Sequence, residues 1–260
     1  MNPVSNDKIN GNSKPPDASD IVPSFVTNNQ SSSTQAMMVV KDHARNFVSK
    51  TELYLYDDAS NTWLVPNVFP KDHVFLNGFV LYAAVAAHSN EIVVGYQADT
   101  IPYNQYEPPS FDVFDGSSGK FLRTFLGLGS GFPSGMAIDS TTGIMCTKTL
   151  DDMDVEFYNV SNGKGFFVTI PGTGGPLTNG AAVAVDPVNH LFLVAQQNST
   201  FAQGSTVIVY DEKGNLIEAI NGVNFLNLSS PLTVHIAVNG HTRTGYVPGP
   251  NANNLQSFTY

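Results

Sequence analysis

Charge is scarce in this sequence, and so is sulfur. Charged residues make up 13% of the 260, about half the roughly 25% of an average globular chain. The 12 Lys and Arg are scattered among 22 Asp and Glu, for a net charge of −10. No basic stripe is therefore present to release counterions from a phosphate backbone, which excludes nucleic acid and anionic membrane surfaces as expected partners. A single cysteine, Cys146, excludes an intrachain disulfide framework. Its place in the apolar run Ile144-Met-Cys-Thr147 predicts a buried, inert thiol. No stretch approaches the roughly 18 apolar residues of a membrane span, so no membrane insertion is expected, and residues 1–20 lack the apolar core of a secretory leader. Also missing are H-E-x-x-H, G-x-S-x-G and P-loop patterns. His43, His73, His88, His190 and His241 sit at turns without metal-ligand spacing, and no catalytic residue is assigned.

Gly (22) and Pro (16) are plentiful, as are Asn, Ser and Thr, which is the composition of many short strands joined by turns. Few charges, abundant small polar residues and one Cys also match an exported protein whose leader lies outside this sequence, so an extracellular or periplasmic location is expected. Sequons begin at Asn29, Asn159, Asn198 and Asn227, at about the frequency that an Asn-, Ser- and Thr-rich composition yields by chance.

The sequence repeats. An apolar, small-residue strand ends at a short residue, usually polar, four turn residues follow, and a second apolar strand begins. The copies are Met37-Met-Val-Val-Lys-Asp42, Ala83-Ala-Val-Ala-Ala87, Gly135-Met-Ala-Ile-Asp139, Ala182-Val-Ala-Val-Asp186 and Val234-His-Ile-Ala-Val-Asn239. Downstream of each lies a second marker, an alternating strand with an aromatic near its end and then usually Asp or Asn. Its copies end at Asp57, Asp115, Asn159, Asp211 and Thr259. Periods of about 40 to 50 residues mark repeat architectures. Period-2 alternation broken by Gly-containing turns makes each repeat a four-stranded antiparallel meander, its strands counted outward from a common axis. Asp42, Asp139 and Asp186, at the ends of first strands, are expected to accept hydrogen bonds from N–H groups of the following turn. The small residues before them, such as Ala137, Gly135, Ala184 and Ala182, suit crowding near the axis.

The run Ala184-Val-Asp-Pro187, Leu191-Phe-Leu-Val194 and Val207-Ile-Val-Tyr-Asp-Glu-Lys-Gly-Asn-Leu216 resembles a blade of the NHL or YVTN-type propellers. That resemblance implies an all-β fold, a single β-propeller of about five four-stranded antiparallel blades over residues 21–260, with a six-bladed ring or an arc of a larger propeller as alternatives. The last repeat runs out after its third strand, so the short apolar stretch 21–26 is expected to supply its fourth and close the ring. Pro23 suits an outermost strand, where a missing donor costs nothing. Residues 1–20, polar and rich in Pro, Asn and Ser, are expected to be disordered.

In a meander, the links between second and third strands and between blades emerge on one face, and the long segments fall there. They include Gln97 to Ser110 with Tyr103 and Tyr106, Lys148 to Asp154, and Gln196 to Ser205 with Phe201. Loops on a rigid scaffold carry recognition. An aromatic rim beside amides suits carbohydrate, peptide or protein, so Tyr103, Tyr106, Phe201, Gln196 and His235 are the candidate ligand-binding residues. His235 is the one ionisable group expected on an axis-lining strand. Asp151, Asp152 and Asp154 are candidate Ca²⁺ ligands, without the spaced twelve-residue loop of a strong calcium motif; no other cofactor is expected. The leading functional expectation is a non-enzymatic binding scaffold. One alternative is a metal-dependent hydrolase resembling the propeller lactonases and gluconolactonases, whose carboxylate ligands are replaced here by Ala and Val. A second is a structural subunit that assembles with copies of itself.

Overall fold

The computed structural model describes residues 26–29, 35–42, 50–57, 62–65, 80–96, 108–129, 133–149, 154–170, 179–197, 205–223, 235–248 and 254–260. These contain nineteen strands in five antiparallel sheets. The first sheet is β1 (Val26–Asn29), β2 (Gln35–Asp42), β3 (Lys50–Asp57) and β4 (Thr62–Val65). The second is β5 (Val80–Ala86), β6 (Glu91–Tyr96), β7 (Ser110–Asp115) and β8 (Phe121–Leu126). The third is β9 (Pro133–Ile138), β10 (Ile144–Thr149), β11 (Asp154–Asn159) and β12 (Lys164–Thr169). The fourth is β13 (Asn179–Asp186), β14 (Leu191–Gln197), β15 (Ser205–Asp211) and β16 (Leu216–Val223). The fifth has three strands among the described residues, β17 (Ala237–Asn239), β18 (Thr244–Pro248) and β19 (Leu255–Thr259). In every sheet the strands follow one another in space as in sequence, which is the meander that the turn spacing predicts.

The chain divides into two compact units. One is Met1–Gln105 with Ser110–Phe125, and the other is Tyr106–Pro109 with Leu126–Tyr260. In the first, β1 lies beside β5, and β7 buries both of its faces (Phe111, Asp112, Val113, Phe114). Asp112, fully buried, accepts a hydrogen bond from the Thr124 hydroxyl at 2.5 Å. Arg123 grips Glu91 with two nitrogens, at 2.7 and 3.0 Å.

In the second unit the fourth sheet shows why its strands read as continuous apolar runs. Phe192, Val194, Ile208 and Tyr210 pack with Cys146, Val155, Phe157 and Ile170, which belong to the third sheet and its outgoing chain. The alternate residues Leu191, Leu193, Ala195, Val207 and Val209 pack with Val247 and Tyr260 of the fifth-sheet segment. Successive side chains point to opposite faces, so a sheet covered on both faces has no polar alternation. Each such Leu, Ile, Val or Phe contributes roughly 1.5–3 kcal/mol. Phe157 sits edge-on to Phe192 at 5.7 Å and to Tyr210 at 6.0 Å. The innermost strands also meet: β9 lies against β13, where a Cβ on Gly135 would stand 2.7 Å from the backbone nitrogen of Val183. The small residues ahead of Asp139 and Asp186 thus answer to backbone crowding.

The first repeat departs from the expected assignment. Asp42 ends the second strand of its sheet, because β2 pairs with β3 on one side, Asp42 opposite Lys50, and with β1 on the other, Val26 opposite Met38. Val26 therefore pairs within the first sheet; the rest of the expected closing stretch, residues 21–25, and residues 1–20 lie outside the described residues. The link between β1 and β2 spans only 30–34, so this pairing closes a short loop at low entropic cost.

Two measurements check this packing. Gly135→Ala is expected to lower stability by about 1–3 kcal/mol in urea denaturation; an unchanged midpoint would contradict the close approach. Cys146 is fully buried, and burial, with the nearby Glu156 charge, pushes its thiol well above the usual range. It should react with a thiol-specific disulfide reagent only after unfolding, and rapid reaction in native buffer would contradict its placement.

Candidate functional site at the turns between sheets

The residues that end the strands hold the turns after them, as expected for Asp139 and Asp186. Asp139 Oδ1 accepts the Thr141 N–H at 2.8 Å and its hydroxyl at 2.7 Å. Asp186 Oδ1 accepts the N–H groups of Val188 and Asn189 at 2.9 and 3.1 Å. Asn239, Asp115, Asn159 and Asp211 repeat the device in their own turns. The turns after β5, β9, β13 and β17 all end on a residue of positive φ, respectively Asn90, Gly143, His190 and Arg243. The left-handed conformation of His190 is therefore a property of the turn. Its consequence is local: the ring comes to lie against the preceding sheet.

There His190 Nδ1 stands 2.8 Å from Asp139 Oδ2. The Asp139 side chain is fully buried and that of His190 is 48% exposed, so Nδ1–H donates to the carboxylate. Thr142, in the turn after β9, donates its hydroxyl to Oε1 of Glu212 in the turn after β15. Asp139, His190 and Glu212 place one ligand-type atom each within 4.8 Å of one another. The hydrogen bond to Asp139 raises the His190 pKa above its ordinary value; partial burial opposes this, and the charges of Asp139, Glu212 and Asp186 reinforce it.

The next interface uses different partners. Asp186 Oδ2 accepts Asn189 Nδ2 at 2.7 Å and the Tyr260 hydroxyl at 2.9 Å. Asn189 Nδ2 also reaches the Gly240 carbonyl at 2.9 Å. A Cβ on Gly240 would fall 2.0 Å from Asp186 Oδ1, so any larger residue there would displace that carboxylate. Burial raises the Asp186 pKa, but hydrogen bonds from Asn189, Tyr260 and Val188 outweigh it, and the net shift is downward. On the far side of the third sheet, buried Glu156 accepts the backbone N–H groups of Leu128 and Gly129 at 3.3 and 2.8 Å and the hydroxyl of Tyr158. That carboxylate fastens the incoming chain to β11.

The expected ligand-binding residues are not brought together among the described residues. Tyr103, Tyr106, Phe201, Asp151 and Asp152 lie outside them. Gln196 is a strand residue and not a loop residue: it sits in β14, paired with Ala181 and Thr206, 5% exposed, with no hydrogen-bond partner for its Oε1 among the described residues. Strand pairing runs further than the polarity of Gln196 and Gln197 suggested. Asp154 likewise opens β11, opposite Thr169, and Lys148 belongs to β10, buried, with its Nζ 2.5 Å from the Thr149 carbonyl. His235 is exposed and lies ahead of β17 rather than within it. In the register of that pair the residue opposite position 235 is Pro248, which has no N–H to continue the ladder. The Asp139–His190–Glu212 group was not anticipated. Its available signal was equal turn length, which sets the last turn residue of one repeat at the level of the strand-ending Asp of the repeat before.

Antiparallel meanders stacked face to face, with innermost strands side by side, define a chain of the β-propeller class. No protein-family model matches it, and no curated protein matches its sequence. Solved structures do share the fold. The Dos1 propeller matches with a TM-score of 0.55 at 14% identity, over 85% of this chain and 51% of that one. Hydrazine synthase of Kuenenia stuttgartiensis matches with a TM-score of 0.53 at 11% identity, over 86% and 55%. A nidogen/laminin complex matches with a TM-score of 0.53 at 10% identity, over 80% and 70%. The chain thus spans about half the length of the first two.

The Asp186 contacts lead to a test with a definite sign. Because the folded pKa of Asp186 is lowered, its contribution is fully present above the unfolded value of about 3.9 and is lost as pH falls through the folded value. Tyr260→Phe should cost about 1.5–3 kcal/mol at pH 7, the range for a hydrogen bond to a charged group. The difference from the parent should shrink as pH falls below about 4. Urea denaturation at both pH values measures it, and a deficit independent of pH would contradict the assignment.

Proposed function

We propose that this chain is a non-enzymatic binding scaffold, an exported propeller of the NHL or YVTN type that presents one set of loops to a protein, peptide or carbohydrate. The observation that supports this reading most is the uneven length of the connections. In the second sheet, 97–109 links the second and third strands, while 87–90 and 116–120 make the other two turns. In the fourth, the link 198–204 compares with 187–190 and 212–215, and in the fifth, 249–254 compares with 240–243. Antiparallel strands send the two kinds of connection to opposite ends of a sheet, so in the second, fourth and fifth sheets the longer link lies at one end, while the third sheet has links of four or five residues at both. At the other end, Asp and Asn side chains are occupied in holding turns and neighbouring sheets.

Rigid sheets of this kind fix the positions of loops without contributing chemistry. A protein partner is consistent with the likeness to a complex of two proteins, nidogen and laminin. The low charge and the abundance of Asn, Ser and Thr support an extracellular or periplasmic setting. Immobilised chain, probed with glycan arrays and with extracts of surface proteins, is expected to retain a ligand. Replacing 98–109 by a short Gly-Ser linker, or Phe201 by Ala, should weaken that retention at least tenfold. Binding that survives both changes would overturn the assignment of the loop end.

A further inference from the structure

We propose that Asp139, His190 and Glu212 form a zinc-type divalent cation site that clamps the third sheet to the fourth at the turn end, away from the loops proposed above to carry recognition. The three side chains come from three turns on two sheets, and their ligand-type atoms already lie within 4.8 Å of one another. Two of them are fixed through their other oxygens. Asp139 Oδ1 is committed to the N–H and hydroxyl of Thr141, which leaves Oδ2 facing His190 Nδ1 at 2.8 Å. Glu212 Oε1 is held by the Thr142 hydroxyl, which leaves Oε2. Hydroxyl and amide donors that orient ligand carboxylates are the usual outer support of a metal site.

The charge balance favours a cation. Two carboxylates and a neutral imidazole carry −2, and a divalent ion cancels that charge where a proton on the imidazole cancels half of it. The donor set selects the kind of ion. One nitrogen and two single carboxylate oxygens, with water in the remaining position, suit zinc. Calcium takes six to eight oxygens, which this group does not supply. Ligands about 2.0–2.1 Å from a tetrahedral zinc are about 3.3–3.4 Å apart. The Asp139–His190 pair would open by about half an ångström and Glu212 would close in. Because the His190 side chain is 48% exposed and Glu212 lies in a short turn only partly buried, both movements stay within side chains.

A site that exists only when both sheets are in place binds the folded state alone, so the metal should stabilise the fold. The test uses the full chain, stripped with chelator and titrated with zinc sulfate by calorimetry, alongside thermal melts. The parent is expected to take up one zinc per chain with a rise in melting temperature. His190→Gln and Glu212→Gln should each weaken uptake by at least about tenfold and abolish most of the rise. His241→Gln, at an exposed turn of the fifth sheet, should leave both unchanged, and calcium chloride should produce neither. Metal-free melts of the variants report whether they fold, and Glu212→Gln decides the matter if His190→Gln does not. Absence of saturable zinc uptake by the parent, equal affinity in the variants that fold, or uptake that depends on His241 instead would each overturn the proposal.

Discussion

The structure of the second unit depends on sheets packed face to face, with the fourth sheet covered on both sides. Phe157 stands edge-on to Phe192 and Tyr210 across one boundary, and Val247 and Tyr260 meet Leu191, Leu193 and Val209 across the other. A sheet buried on one face only would tolerate polar residues at alternate positions, and this one has none from Leu191 to Ala195. The apolar runs, the glycine at 135 and the small residues on the innermost strands all follow from the same requirement. Where the third and fourth sheets converge, the backbones of β9 and β13 touch.

Polar chemistry then fixes what apolar packing leaves free. Face-to-face contact sets the distance between sheets but resists sliding only weakly. The carboxylates at strand ends supply directional contacts that packing lacks: Asp139 to His190, and Asp186 to Tyr260 and, through Asn189, to Gly240. Each carboxylate serves its own turn through one oxygen and a neighbouring sheet through the other, so a turn-forming residue also registers adjacent sheets.

Local features were legible in the sequence because they obey local rules. All five strands of the second marker end where expected, at Asp57, Asp115, Asn159, Asp211 and Thr259, since an Asp or Asn that accepts turn N–H groups needs only the next few residues. Four copies of the first marker fall on first strands, three of them, at Asp139, Asp186 and Asn239, for the same reason. Asp42 does not, because β1 pairs with β2 on the side away from β3, and the sequence offered β1 only the end of the apolar stretch 21–26. Gln196 and Asp154 fall in strands and not in loops because strand ends are set by the pairing partner, here Thr206 and Thr169. The Asp139–His190–Glu212 group spans two sheets and 74 positions of sequence between its outer members Asp139 (139) and Glu212 (212) counted inclusively, and nothing in any one segment announces it.

The stacking of sheets rests on contact between the third and the fourth, and a double-mutant cycle on Phe157→Leu and Phe192→Leu, read by urea denaturation, tests that contact most directly. An interaction energy of about 0.5–1.5 kcal/mol is the result expected for an aromatic pair in edge contact. Effects that add within about 0.3–0.5 kcal/mol, as they do for residues that do not touch, would contradict the stacking from which the rest of the structure follows.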